Sequence, residues 1–103
     1  MSNKLMVLVH IAHYLKPENY DKFRQWFQET VNTLKGVNGF IRLIYAGCDS
    51  ESGHNLFLFF TSEKLLEDWT QSARHKKLVS ALDPWRSRPY HAKRYRILAD
   101  TSS

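Results

Sequence analysis

The sequence predicts an α+β fold in the order strand, helix, strand, strand, helix, strand. Three observations carry that prediction. Apolar runs of strand length occur at 5–11, 40–46 and 56–60. Between the first two, Tyr20, Phe23, Phe27, Val31 and Leu34 recur at helical spacing. The segment Asp49-Ser50-Glu51-Ser52-Gly53 is turn chemistry that folds the second and third runs into a hairpin. This order is the split βαβ, or ferredoxin-like, arrangement: an antiparallel four-stranded sheet with its helices on one face.

Taken in order, Lys4 to Leu15 places Leu5, Val7, Val9 and Ile11 on one strand face and Met6, Leu8, His10, Ala12 and Tyr14 on the other. Both faces are apolar enough to need cover. Pro17 suits the first turn of a helix, with Glu18 and Asp21 near the positive end of its dipole, Trp26 and Thr30 widening its apolar stripe and Gly36 closing it. Gly39 to Cys48 reads as the second strand and Leu56 to Phe60 as the core of the third. Thr61 or Ser62 then caps a helix from Glu63, which breaks near Ser72. A second piece runs from Ala73 to Leu82, Asp83-Pro84 ends it, and Pro89 opens a last strand through Leu98.

A chain of 103 residues with 43% hydrophobic and 24% charged residues is the size and composition of one globular domain. We expect it to span residues 4–98, with 1–3 and 99–103 as frayed termini. No apolar run is long enough to cross a bilayer, and no charged-then-apolar leader opens the sequence, so the default expectation is a cytoplasmic protein without a membrane partner. The single Cys48 forms no internal disulfide and reads as a packing residue at a strand end. The net charge of +5 is concentrated late: Arg74 to Arg96 holds eight Lys or Arg against Asp83 alone. Interleaved with Tyr90 and Tyr95, these charges read as the solvated face of an edge strand, where they also discourage aggregation.

Helices cover only one face of a sheet in so short a chain, yet Leu5, Val7, Val9, Ile11 and the hairpin aromatics are too apolar to leave in water. A second copy packed sheet to sheet is the simplest cover, and it predicts a symmetric homodimer.

The passage Leu58-Phe59-Phe60-Thr61-Ser62-Glu63, with Leu66, Trp69, Ser72 and His75, resembles the antibiotic biosynthesis monooxygenase (ABM) domain of the dimeric α+β barrel superfamily. The strand Val7 to Ile11 followed by Lys16-Pro17-Glu18, and Gly39-Phe40 opening the second strand, match in place and spacing. The resemblance extends from Leu5 to Leu98. It implies a homodimeric oxidoreductase, a monooxygenase with a pocket between helices and sheet in each subunit. It also implies a small aromatic or quinol-like substrate and no metal, flavin or heme cofactor. The substrate then supplies the electrons, while the protein supplies a base, orientation and a dry cavity. On that resemblance the catalytic candidates are His75, His10 and Trp69, and the substrate-binding candidates are Phe23, Phe27, Phe60 and Trp69. Heme-degrading relatives use a first-strand asparagine and an axial histidine ten positions after the tryptophan. Here those positions hold His10 and Val79, which argues against heme cleavage. Leu58 stands where many relatives carry a strand glutamate.

Each candidate also has a plain structural reading. A tryptophan on a helix after a strand is commonly core, and a strand histidine between apolar residues is commonly hydrogen-bonded and buried. His13, three positions from His10, falls on the opposite strand face, so the two cannot share a metal. A rival from another class is RNA binding, since the same element order describes the RRM fold. That fold needs stacking aromatics at set sheet positions. Asn55 stands at one of them and the first strand has no match, so no nucleic-acid partner is expected. A further alternative is a dimeric barrel that binds a small ligand without catalysis.

Overall fold

The alternation of the first strand decides which residues meet the helices. A computed structural model of the chain describes residues 6–48 and 51–101. It has four antiparallel strands, β1 (Val7–Leu15), β2 (Phe40–Cys48), β3 (Glu51–Phe60) and β4 (Arg86–Arg96), in the order β2-β3-β1-β4. Three α-helices, α1 (Tyr20–Leu34), α2 (Glu63–Thr70) and α3 (Ala73–Ser80), complete the ferredoxin-like α+β fold that the element order predicts. Among the described residues, no helix is long and apolar enough to cross a membrane. The expectations for residues 1–5, the Cys48 side chain, the turn at 49–50 and residues 102–103 lie outside the described part.

Val7, Val9 and Leu15 of β1 and Leu56, Leu58 and Phe60 of β3 are buried. They form two clusters, one with Leu34, Leu66 and Trp69, the other with Phe23, Trp26 and Leu82. The odd-numbered face of β1 is therefore the helix-covered one, which corrects the expectation that Val7, Val9 and Ile11 face away from the helices. The uncovered face instead presents Leu8, His10, Ile44, Phe57 and Phe59, brought together by the pairs Leu8↔Phe59, His10↔Phe57 and Ile44↔Phe57. Its composition is still apolar and aromatic. Arg42 lies over the Phe59 ring, 4.9 Å from its centroid.

Three local features differ from the expectation or refine it. Pro17 opens a 3-10 turn, Pro17–Asn19, and α1 starts only at Tyr20. The last strand begins at Arg86 rather than Pro89 and ends at Arg96 rather than Leu98. β4 is a sheet edge, where the missing N–H of Pro89 is tolerated, and the β1–β4 register shifts around Tyr14↔Arg88. Ser72 does break the second helical segment, and one hydroxyl serves both pieces. Its Oγ donates to the Trp69 carbonyl at 2.7 Å and accepts from the His75 backbone N–H at 3.2 Å.

Gly39 sets the entry to β2. Its φ is +91°, and a Cβ there would lie 2.7 Å from Leu65 Cδ1, so a side chain is excluded by both backbone and space.

Candidate functional site

Between the sheet and the three helices lies a cavity of about 310 Å³. Its floor includes Val9, Ile11 and His13 of β1 with Leu56 and Leu58 of β3. Its walls include Trp26 and Thr30 of α1, Trp69 and Thr70 of α2, and His75, Leu78 and Val79 of α3, while Tyr90 and Arg94 come from β4. Helical geometry explains the α1 contribution: Trp26, Thr30 and Leu34 are spaced four apart and share one stripe. The Thr30 hydroxyl is already spent on the Trp26 carbonyl at 2.8 Å, and the Trp26 indole N–H donates to the Leu78 carbonyl at 2.9 Å. The latter bond ties α1 to the last turn of α3.

The break at Ser72 folds α3 back so that His75 meets Trp69. Their ring centroids are 5.4 Å apart at an interplanar angle of 73°, an edge-to-face contact. Trp69 is buried, and His75 Nδ1 is buried with no hydrogen-bond partner among the described residues. Burial holds the His75 pKa below its ordinary value. The Thr70 backbone lies close enough to pull it partly back up without meeting hydrogen-bond geometry, and Lys76 pushes it down again. At neutral pH the ring is uncharged, the form that accepts a proton.

A second imidazole lines the same cavity. His13 is 3% exposed, with Phe23, Trp26 and Tyr90 around it at centroid distances of 5.7, 6.2 and 5.5 Å. Burial first, then the charge of Arg86 and the neighbouring His54, lowers its pKa to about 4. Sequence reasoning weighed His13 only as a metal partner for His10. Its odd position, in phase with Val7, Val9 and Ile11, is the signal that places it under the helices. At the rim, Arg94 is ion-paired to Glu67 at 2.8 Å, and its Nη2 is 3.5 Å from Thr70 Oγ1. Arg94, Glu67 and Tyr90 are each about half exposed, marking the side open to solvent.

Of the residues singled out in the sequence, Trp69 and His75 are brought together at the cavity and the others are not. His10 is on the uncovered face, where Nε2 is 2.8 Å from Asn55 Oδ1 and the ring stacks on Phe57 at 4.7 Å and 7°. Strand alternation separates it from the cavity. Phe23 and Phe60 are fully buried in the two core clusters and do not line the cavity. Phe27 turns toward Tyr45 at 5.5 Å, because it sits one position around the helix from Trp26. Leu58 and Val79 both reach the lining and present only hydrocarbon there. His54 contacts the Tyr45 hydroxyl through Nδ1, and His91 packs edge-on to Tyr14.

The fold has many counterparts. Rv0793 from Mycobacterium tuberculosis superposes with a TM-score of 0.82 at 14% identity, over 94% of this chain and 99% of that one. A conserved protein from Methanosarcina mazei Go1 does so with 0.82 at 16% identity, over 90% and 93%. An antibiotic biosynthesis monooxygenase gives 0.75 at 14% identity, over 90% and 99%. At such identities the likeness is one of fold. No curated protein matches the sequence. The family model for antibiotic biosynthesis monooxygenase matches residues 6–81, which takes in β1 through α3 and the Trp69 and His75 pair. The chain belongs to the antibiotic biosynthesis monooxygenase family.

Proposed function

We propose that the protein is a monooxygenase that oxidises a small aromatic or quinol-like substrate in this cavity, using no metal, flavin or heme. The observation that carries the reading is the uncharged His75 set edge-on to Trp69 inside a mainly hydrocarbon cavity of about 310 Å³. That volume is at the small end of ligand pockets and suits two fused rings. His75 takes the phenolic proton, and the resulting anion is electron-rich enough to reduce dioxygen. One oxygen atom enters the ring and the other leaves as water, so a phenol and O₂ give a quinone and H₂O with every electron drawn from the substrate. The apolar walls exclude water from the reactive anion, and Trp69 supplies the flat surface that orients the ring.

This reading also pairs two copies across the uncovered sheet face, supported by the contiguous Leu8, Ile44, Phe57 and Phe59. The single cysteine fits a reducing compartment, and we place the protein in the cytoplasm.

The test is oxygen uptake with a panel of hydroxynaphthalenes and quinols. We expect turnover that falls at least about 100-fold in His75→Ala, the scale of a lost general base. Replacing Trp69 by Phe, which keeps an aromatic ring at this position, is expected to weaken binding. Ligand binding without oxygen uptake across the panel would instead identify a binding protein that lacks catalysis.

A further inference from the structure

The proposed chemistry uses one imidazole of the cavity and leaves the other without a task. A neutral imidazole offers one donor and one acceptor. No protein group among the described residues hydrogen-bonds the His13 ring, and its Nδ1 is buried and unpaired. Buried polar groups are almost always satisfied, so a histidine left open on a cavity wall calls for a partner that enters the cavity. His10, on the other face of the same strand, shows the contrast, since its Nε2 lies 2.8 Å from Asn55 Oδ1.

The position of His13 says what that partner looks like. Arg94 pairs with Val9 in the sheet and reaches Thr70, so this end of the cavity is the Trp69 and His75 end. His13 and Tyr90 lie four residues further along β1 and back along β4, a displacement of about 13 Å along the strands. The two imidazoles therefore belong to different ends of one elongated space. Arg86, whose guanidinium lies 4.7 Å from the Tyr90 ring centroid, keeps positive charge close behind His13 and favours its neutral, hydrogen-bonding form.

We propose that His13 is a second ligand contact, and that the cavity selects a fused aromatic with hydroxyl groups at both ends, one meeting His75 beside Trp69 and the other meeting His13 beneath Tyr90. The assignment rests on the cavity being the substrate site.

The experiment compares naphthalene-2,6-diol with 2-naphthol by calorimetry on the full chain under nitrogen, where neither is oxidised. The native protein should bind the diol about tenfold more tightly, the value of one additional buried hydrogen bond. His13→Phe should bring the diol to within about twofold of 2-naphthol measured on the same variant. His13→Gln, which keeps a hydrogen-bonding group, should retain part of the preference. Equal affinities in the native chain, or a preference that survives in His13→Phe, would overturn the role of His13 while leaving the site intact. Binding of neither compound would overturn the site itself and this assignment with it. Should His13→Phe fail to fold, the native comparison and His13→Gln still decide.

Discussion

His10 and His13 are three residues apart on β1, and the two sheet faces treat them in opposite ways. On the uncovered face His10 stacks on Phe57 and is bonded through Nε2 to Asn55, both from β3. On the helix-covered face His13 is walled in by Phe23, Trp26 and Tyr90, none of which hydrogen-bonds it. The same residue type is thus a stabilising part of one surface and an open valence on the other. The aromatics divide in the same way. Phe60 fills the core, whereas Phe57 and Phe59, one strand position away on either side of Leu58, are left partly exposed.

Cutting into each face in turn should have opposite effects. Leu58→Ala removes a buried side chain from the cavity floor and should cost about 2–5 kcal/mol in denaturant unfolding. If two copies pair across the uncovered face as proposed, Phe59→Asp there should leave the fold in place and lower the sedimenting mass to that of one chain. If Phe59→Asp unfolds the chain or leaves its mass unchanged, the two faces do not divide as core and pairing surface.

Acid titration sharpens the contrast between the histidines. The unfolded His13 takes up a proton near its ordinary pKa of 6.5 and the folded one only near 4. Between those values the unfolded state binds more protons, so stability falls as pH falls and levels off below about 4. The full shift corresponds to about 3 kcal/mol, with no contribution from this group above about 6.5. His54 and His75, also held low by burial, act in the same direction. His13→Gln should flatten most of this slope, and a slope that survives the substitution would separate the acid sensitivity from His13. A smaller effect tests the satisfied side: a double-mutant cycle between His10 and Asn55 should return a coupling of about 0.5–1.5 kcal/mol. Zero coupling would remove the distinction drawn between the two rings.

Much of the fold was legible because its signals are local. The helical recurrence from Tyr20 to Leu34, the hairpin, and the serine that separates Trp69 from His75 each act within one turn or one strand pair. The Trp69 and His75 meeting followed from that local break. What was not legible depended on which face the helices cover. β1 is apolar on both faces, so the period of two said that Val9 and His10 point apart without saying which points inward. The odd residues turned out to be the covered ones, which moved His10 away from the cavity and brought His13 to it. The same ambiguity operates on α1, where Phe23, Trp26 and Phe27 all belong to the apolar stripe and only its Trp26 side overlooks the cavity. The start of β4 was hidden because Pro89 reads as a boundary unless its strand is known to be an edge.

The hydrogen bond from the Trp26 indole to the Leu78 carbonyl has a consequence for how anything reaches the cavity. α3 contains no fully buried residue; only Leu78 packs partly against both core clusters. The helix is separated from α2 at Ser72 and tied to α1 at Leu78, and the buried Leu82 just past its end holds that end in the core. A ligand that enters past α3 works against both ties, and Trp26→Phe, which removes the hydrogen bond alone, should raise amide exchange along α3 while Leu82 keeps the helix docked.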